Sequence, residues 1–365
     1  MRSSLHLACL LHFHQPPTAG AVALDGCFDQ AYEPVLDAIE ADDRLRFGLH
    51  FAGRILEHAL AHRPNFLARL ERLQKVGRVE VLGGAFFDPV LAAIPERDAI
   101  GQLQFTANWL KRQLGALPEG GWLSLRVWDP ALPRTLASGG VRYTLLDDSE
   151  QVHGHFSTER AGHAVAVLPL DNGLMAALAL DPIERVRERL AFINLAHQQD
   201  GERVMSVCCP GEAMVSGGRF MELLGLLDTE HHWLKSILPG RAVRSFPTQG
   251  RVYLPTGAAP ELAEWSRPAG TRSMRRALRD ELEAKGVWAA VEPFVGRALF
   301  DNFLVKYVEA NRLHKRMLLA SDAVDRLRGV LAERVRAGLS GGSDEKARRV
   351  LERACDALWR AQTHA

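Results

Sequence analysis

Residues able to do acid–base or ligand chemistry recur in this chain just after short apolar runs. His12-Phe13-His14-Gln15-Pro16 follows the run from Leu5 to Leu11, and His50 ends a second run. Gly83-Gly84-Ala85-Phe86-Phe87-Asp88-Pro89 follows a third. Trp122, Arg126, Trp128 and Asp129 crowd one short stretch, and Asp147-Asp148, Pro210-Gly211-Glu212, Glu261 and Glu264-Trp265 complete the series. Imidazoles and carboxylates transfer protons near neutral pH. Aromatic rings cover the apolar faces of sugars while charged groups bind their hydroxyls, so the set points to a polyhydroxylated ligand. Imidazole and carboxylate also suit zinc or manganese, for which His12, His14, His153, His155, Asp147 and Asp148 are the available ligands. His12 and His14 are expected to point to opposite faces of their strand, one of them into the lumen. That weighs against a metal set, and no metal or cofactor is expected. Plainer uses exist for each residue: His50 as a hydrogen-bonded core group, Gly83-Gly84 as a tight turn, Trp128 and Trp265 as packing, Asp147-Asp148 as a helix cap.

Bringing so many polar groups together requires a scaffold that gathers strand ends. Candidate strands are Leu5–His12, Arg46–Phe51, Arg78–Leu82, Trp122–Val127, Arg142–Leu146, Arg203–Cys208 and Val252–Leu254. Between most of them lie helical patterns: Pro34–Ala41, Asn65–Val76, Pro95–Leu114, Pro182–His197 and Arg219–Leu227. Alternating strands and helices imply a parallel sheet, here a closed or nearly closed barrel with its reactive face at the C-terminal strand ends. From Arg267 the strand signals stop. Thr271–Lys285, Leu299–Leu319, Asp322–Ala337 and Asp344–Gln362 read as helices, with a flexible break at 338–343. The expected organisation is an α/β barrel over residues 1–266 and a helical bundle over 267–365.

Composition excludes several classes. Lys+Arg total 45 and Asp+Glu 44, a net charge of +1, which lacks the basic footprint of a nucleic-acid binder. Hydrophobic residues make up 47%, too many for a disordered chain. The run Leu5–Leu11 is too short to span a membrane and lacks a small-residue cleavage site. Five cysteines without repeating spacing suit a reducing compartment, so a cytoplasmic protein is expected. No Gly-x-Gly-x-x-Gly follows a strand and no Gly-Lys-Ser/Thr loop is present, so nothing marks a nucleotide site.

The motifs taken in order resemble glycoside hydrolase family 57, which holds α-amylases, amylopullulanases, 4-α-glucanotransferases and branching enzymes. His12–Pro16 resembles the first family motif. Gly83–Pro89 with Ile94–Gln102 resembles the second, and Trp122–Pro130 the third, followed by Tyr143–Asp148. Pro210-Gly211-Glu212 falls where the fourth belongs, and Tyr253–Thr256 with Glu261–Trp265 resembles the fifth. Asn302–Tyr307 and Glu309–Lys315 resemble the helical region after the barrel. The resemblance implies an incomplete (β/α)7 barrel with a C-terminal α-helical domain. It also implies retaining hydrolysis or transfer at α-glucosidic bonds, which needs two carboxyl groups about 5–5.5 Å apart.

The chain departs from that pattern at both carboxyls. The family nucleophile is a Glu directly before Arg-Val-Trp, where this chain has Leu125. The family acid/base is an Asp directly before Gly-Glu, where it has Pro210. Neither side chain can ionise. Asp88 stands where Glu is usual, and Asp147–Phe156 is longer than in relatives. The resemblance therefore implies binding of an α-glucan or oligosaccharide without the usual catalysis, in a regulatory or accessory role beside an active relative or another protein partner. The expected ligand-binding residues are His12, His14, Gln15, His50, Asp88, Trp122, Arg126, Trp128, Asp129, Glu264 and Trp265. The alternatives are an active hydrolase or glucanotransferase with relocated carboxyls (Glu212, Asp147, Asp148, Asp129 or Glu150) and a metal-dependent enzyme on the same barrel.

Overall fold

The computed structural model describes residues 4–147, 153–196, 203–291, 295, 300–339 and 341–364, with Glu261 and Ala289 by their backbone alone. Its strands are β1 (Leu5–Phe13), β2 (Phe47–Phe51), β3 (Val79–Val81), β4 (Gly83–Gly84), β5 (Gly120–Trp122), β6 (Tyr143–Asp147), β7 (Phe156–Arg160), β8 (His163–Leu170), β9 (Arg203–Pro210) and β10 (Leu234–Ser236). Eight of them form one path, β3-β2-β1-β9-β8-β6-β5-β4. Every pair along it is parallel. Only Leu82 separates β3 from β4, so the two ends of the path are neighbours in the chain and the sheet curls into a nearly closed barrel. The wall is thinnest between β8 and β9, which meet at the single pair Leu170–Ser206. The antiparallel β7 lines β8, and β10 lies beside the N-terminal half of β1.

The apolar pattern explains the two-sided burial. On β1, Leu7, Cys9, Leu11 and Phe13 face the surrounding helices, while Ala8 and Leu10 join Leu82, Tyr143, Leu145, Leu168 and Cys208 in the lumen. Strands covered on both faces read as near-continuous apolar runs. The helix Glu96–Leu114 has Glu96 and Asp98 in its first turn, which suits its dipole. It stops at Gly115, whose φ of 77° is the left-handed cap expected of glycine.

Three sequence expectations change. Val252–Leu254 is not a strand; residues 251–259 are irregular and meet the barrel through the isolated bridges Ser157–Arg251 and Trp128–Gly257 and a few further hydrogen bonds. The missing barrel strand is β8, a largely apolar run that starts after Gly162 and contains Pro169. The strand expected over Trp122–Val127 instead ends at Trp122, as β5, and Ser124–Arg126 forms a 3-10 turn.

Beyond Arg267 the described residues form helices at Ala269–Ala284, Trp288–Val291, Asp301–Lys306, Val308–Arg336 and Gly342–Ala361. The expected break before Asp322 is absent and falls at Tyr307 instead. The Ser321 hydroxyl donates to Asp98 on the barrel helix Glu96–Leu114 at 2.6 Å. All five cysteines are unpaired thiols. No helix among the described residues is long and apolar enough to cross a membrane.

Candidate functional site

β1 and β2 run parallel with His12 opposite His50. Both residues therefore end the lumen-facing rows at the same level. Their Nδ1 atoms are 2.9 Å apart, and His12 stacks on Trp122 from β5, ring centroids 4.7 Å apart. His14 lies just past the end of β1, and its Nδ1 is 3.0 Å from Asp88 Oδ2. Ser124 donates its hydroxyl to Asp88 Oδ1 at 3.3 Å, and His50 Nε2 is 3.9 Å from the same oxygen. The expected split of His12 and His14 between two faces is wrong. Side chains two residues apart project from the same side of a strand, and both imidazoles meet Asp88.

Glycine is required beside this cluster. Gly84 has a φ of 146°, and a Cβ there would lie 2.9 Å from Trp122 O and 3.3 Å from His50 Nε2. Asp88 has a φ of 49°, a left-handed conformation that Asp tolerates better than most residues.

On the other side of His14, Glu212 Oε1 accepts from the His14 backbone N–H at 3.2 Å, from Gln15 Nε2 at 3.4 Å and from the Tyr32 hydroxyl at 2.9 Å. His14 thus sits between two carboxylates. Burial pushes Glu212 above the usual glutamate value, against the hydrogen bonds it accepts. Burial lowers His50 to about 4. His12 is pushed well below the usual histidine range by burial and then by His50. Burial alone would raise Asp88, but its histidine neighbours and the His14 hydrogen bond hold it well below the usual carboxylate range. At neutral pH the cluster holds an anionic Asp88 beside neutral His12 and His50.

Other expected site residues are placed elsewhere or otherwise engaged. Arg126 binds Asp147 through Nε at 2.7 Å. Trp128 is buried in the shell around the barrel and donates to Leu254 O. Asp129 accepts from the Ala131 backbone N–H at the start of the helix Leu132–Ser138. Glu264 pairs with Arg275 and Arg267, and Trp265 beside it is exposed. Leu125 is partly buried with a φ of 54°. Pro210 pairs with His12 across β1 and β9 and is exposed. Asp148 and Glu150 lie outside the described residues, as does the side chain of Glu261. The Gly154 N–H between His153 and His155 bonds Val204 O, near the opposite end of β9 from Pro210. Those two histidines are therefore not drawn into the cluster.

Three contributors carried no signal in the sequence: Tyr32, Ser124 and His364. The helix Gly342–Ala361 delivers the last of them. His364 approaches Asp88 O through both its backbone N and its Nδ1, the latter at 2.5 Å, and its ring lies 4.6 Å from that of His14. Gln362 holds this segment down by donating to Asp98 at 2.7 Å and accepting from Gln102 at 2.9 Å. Gln102 in turn accepts from the Phe87 backbone N–H, next to Asp88. Among the described residues, one group can offer three metal ligands: His12, His14 and Asp88, with one candidate atom from each within 4.8 Å of the others.

Residues 11–182 match the profile of glycosyl hydrolase family 57. An α-amylase of Pyrococcus horikoshii is 30% identical over 85% of this chain and 51% of its own length. An α-amylase of Pyrococcus furiosus is 29% identical over 86% of this chain and 50% of its own. The crystal structure of the 4-α-glucanotransferase of Thermococcus litoralis superposes with a TM-score of 0.81 at 27% identity, covering 89% of this chain and 53% of that one. The chain spans about half the length of the curated relatives it matches.

Proposed function

Because the chain belongs to glycosyl hydrolase family 57, we propose that it binds an α-glucan or oligosaccharide at the barrel mouth without cleaving it by the retaining route. One observation carries this reading. Each candidate carboxylate whose side chain is described is already held by a partner: Asp88 by His14, Asp129 by a helix N-terminus, Asp147 by Arg126, Glu212 by Tyr32 and Gln15, Glu264 by Arg275. None stands ready to replace a nucleophile at Leu125, and a replacement must attack along the same line to work. That counts against relocated carboxyls.

What remains is suited to binding. Trp122 is buried beside His12, and its indole N–H has no partner. A ligand hydroxyl is the natural acceptor for it, with Asp88, His14 and His12 as neighbouring hydrogen-bonding groups. The role is then accessory or regulatory, beside a cleaving relative or another protein. Calorimetry with maltooligosaccharides and glycogen, run alongside product analysis, tests this. Saturable binding with no product is the expected result. Turnover that is lost in Glu212→Gln would overturn the reading and favour an active enzyme.

A further inference from the structure

His12, His14 and Asp88 converge at the barrel mouth. His14 Nδ1 and Asp88 Oδ2 are 3.0 Å apart. Two ligands on one tetrahedral zinc, each about 2.0–2.1 Å from the metal, lie roughly 3.3 Å from each other. The pair is therefore close to metal-ligand spacing already. A nitrogen of His12 lies within 4.8 Å of both, so a shift of at most about 1.5 Å brings it into range.

The groups behind His12 and Asp88 are of the kind that orient metal ligands. A ligating histidine almost always uses its other ring nitrogen to bond a partner, and ligating carboxylates are themselves hydrogen-bonded. His12 has His50 at Nδ1. With the His50 Nε2 edge turned towards Asp88 Oδ1, the tautomer that suits the carboxylate puts a proton on His50 Nε2. His12 Nδ1–H then donates, leaving His12 Nε2 with a free lone pair. Asp88 Oδ1 accepts from Ser124, and the Asp88 carbonyl is held by His364.

We propose that His12, His14 and Asp88 bind one divalent transition-metal ion, with zinc the best match to two imidazoles and a carboxylate. On binding, the metal–nitrogen bond forms at His14 Nδ1 as the Nδ1 proton is exchanged through solvent for one on Nε2, so the ring stays neutral. Three protein ligands leave a fourth position open, as in sites that receive water or a hydroxyl-bearing ligand. This site stands on its own geometry and does not depend on glucan binding.

The test uses the full chain stripped with a chelator, then titrated with zinc chloride by calorimetry and checked by elemental analysis. One zinc per chain is expected, with a rise in thermal midpoint. His14→Gln and Asp88→Asn should each weaken binding by more than tenfold. Ser124→Ala, which removes only a supporting hydrogen bond, should weaken it about tenfold. His231→Gln with His232→Gln, a pair far along the chain at a surface turn, should change nothing. Circular dichroism establishes that each variant is folded; should Asp88→Asn fail to fold, the partly exposed His14 carries the comparison. Absence of saturable zinc binding overturns the proposal, as does undiminished binding in folded His14→Gln. Loss of glucan binding alone would leave it intact.

Discussion

The Nδ1 atoms of His12 and His50 lie 2.9 Å apart, so one ring donates and the other accepts. Both are largely buried, and each depends on the other for that bond. His50→Leu removes the acceptor and leaves the His12 N–H facing an apolar side chain. A buried donor left unpaired costs about 1–3 kcal/mol. Urea unfolding should show that loss, and a midpoint equal to wild type would refute the pairing.

Gly84 is the backbone counterpart of that pair. Gly84→Ala strains a residue at φ 146° and also presses a Cβ against the Trp122 carbonyl, and such strain costs about 1–3 kcal/mol. The expected outcome is a lower thermal midpoint together with a blue- or red-shifted tryptophan emission, as Trp122 moves. A lower midpoint with unchanged emission would place the strain elsewhere.

Leu125 and Pro210 allow a gain-of-function test. Retaining chemistry needs both carboxyls, so Leu125→Glu and Pro210→Asp should each remain inactive on maltooligosaccharides. The double variant should release detectable product. Pro210 is exposed and caps the helix Gly211–Ser216, where Asp is a favourable residue. That substitution should leave stability unchanged or raise it by up to about 1 kcal/mol. If a folded double variant stays inactive, the loss of chemistry extends beyond these two positions.

Glu80 gives a pH signature at the other end of the barrel. Its carboxylate accepts from the Tyr143 hydroxyl at 2.6 Å and from the Gly240 N–H at 2.7 Å. Burial nevertheless pushes its pKa above the usual glutamate value of 4.5. The folded state then holds this proton more tightly than the unfolded chain. Its contribution is fully present below pH 4.5 and is lost as pH rises through the raised value. Glu80→Gln removes that slope, so its unfolding midpoint should gain on wild type between pH 4 and pH 8. Parallel profiles would disprove the shift.

Local signals in the sequence predict much of the barrel. Leu5–Leu11 reads as a strand because it is apolar on both faces, and Gly115 ends its helix because only a left-handed residue fits there. His163–Leu170 carries a weaker signal, because it opens on a polar His and contains Pro169, a residue that argues against a central strand. The site itself divides in the same way. His12, His14, His50, Asp88 and Trp122 were visible because each ends or follows an apolar run. Glu264 and Trp265 had been placed after a strand at Val252–Leu254 that does not form, so nothing brings them to the cluster. The meeting of His12 and His14 follows from the strand period, since residues two apart share a face. Tyr32, Ser124 and His364 reach the site only through tertiary packing, which no local pattern encodes.

The segment after the last helix has a consequence for the order of assembly. Asp88 and His364 are 276 positions apart, and Arg360 reaches Glu57 across 303. Contacts this distant in sequence form slowly, because a long loop must close before they contribute. During synthesis, chain emerges from its N-terminal end first. The strands that carry His12, His50 and Asp88 are therefore made long before their roof, and the mouth of the barrel stays open to chaperones, metal ions or sugars until residue 364 has left the ribosome.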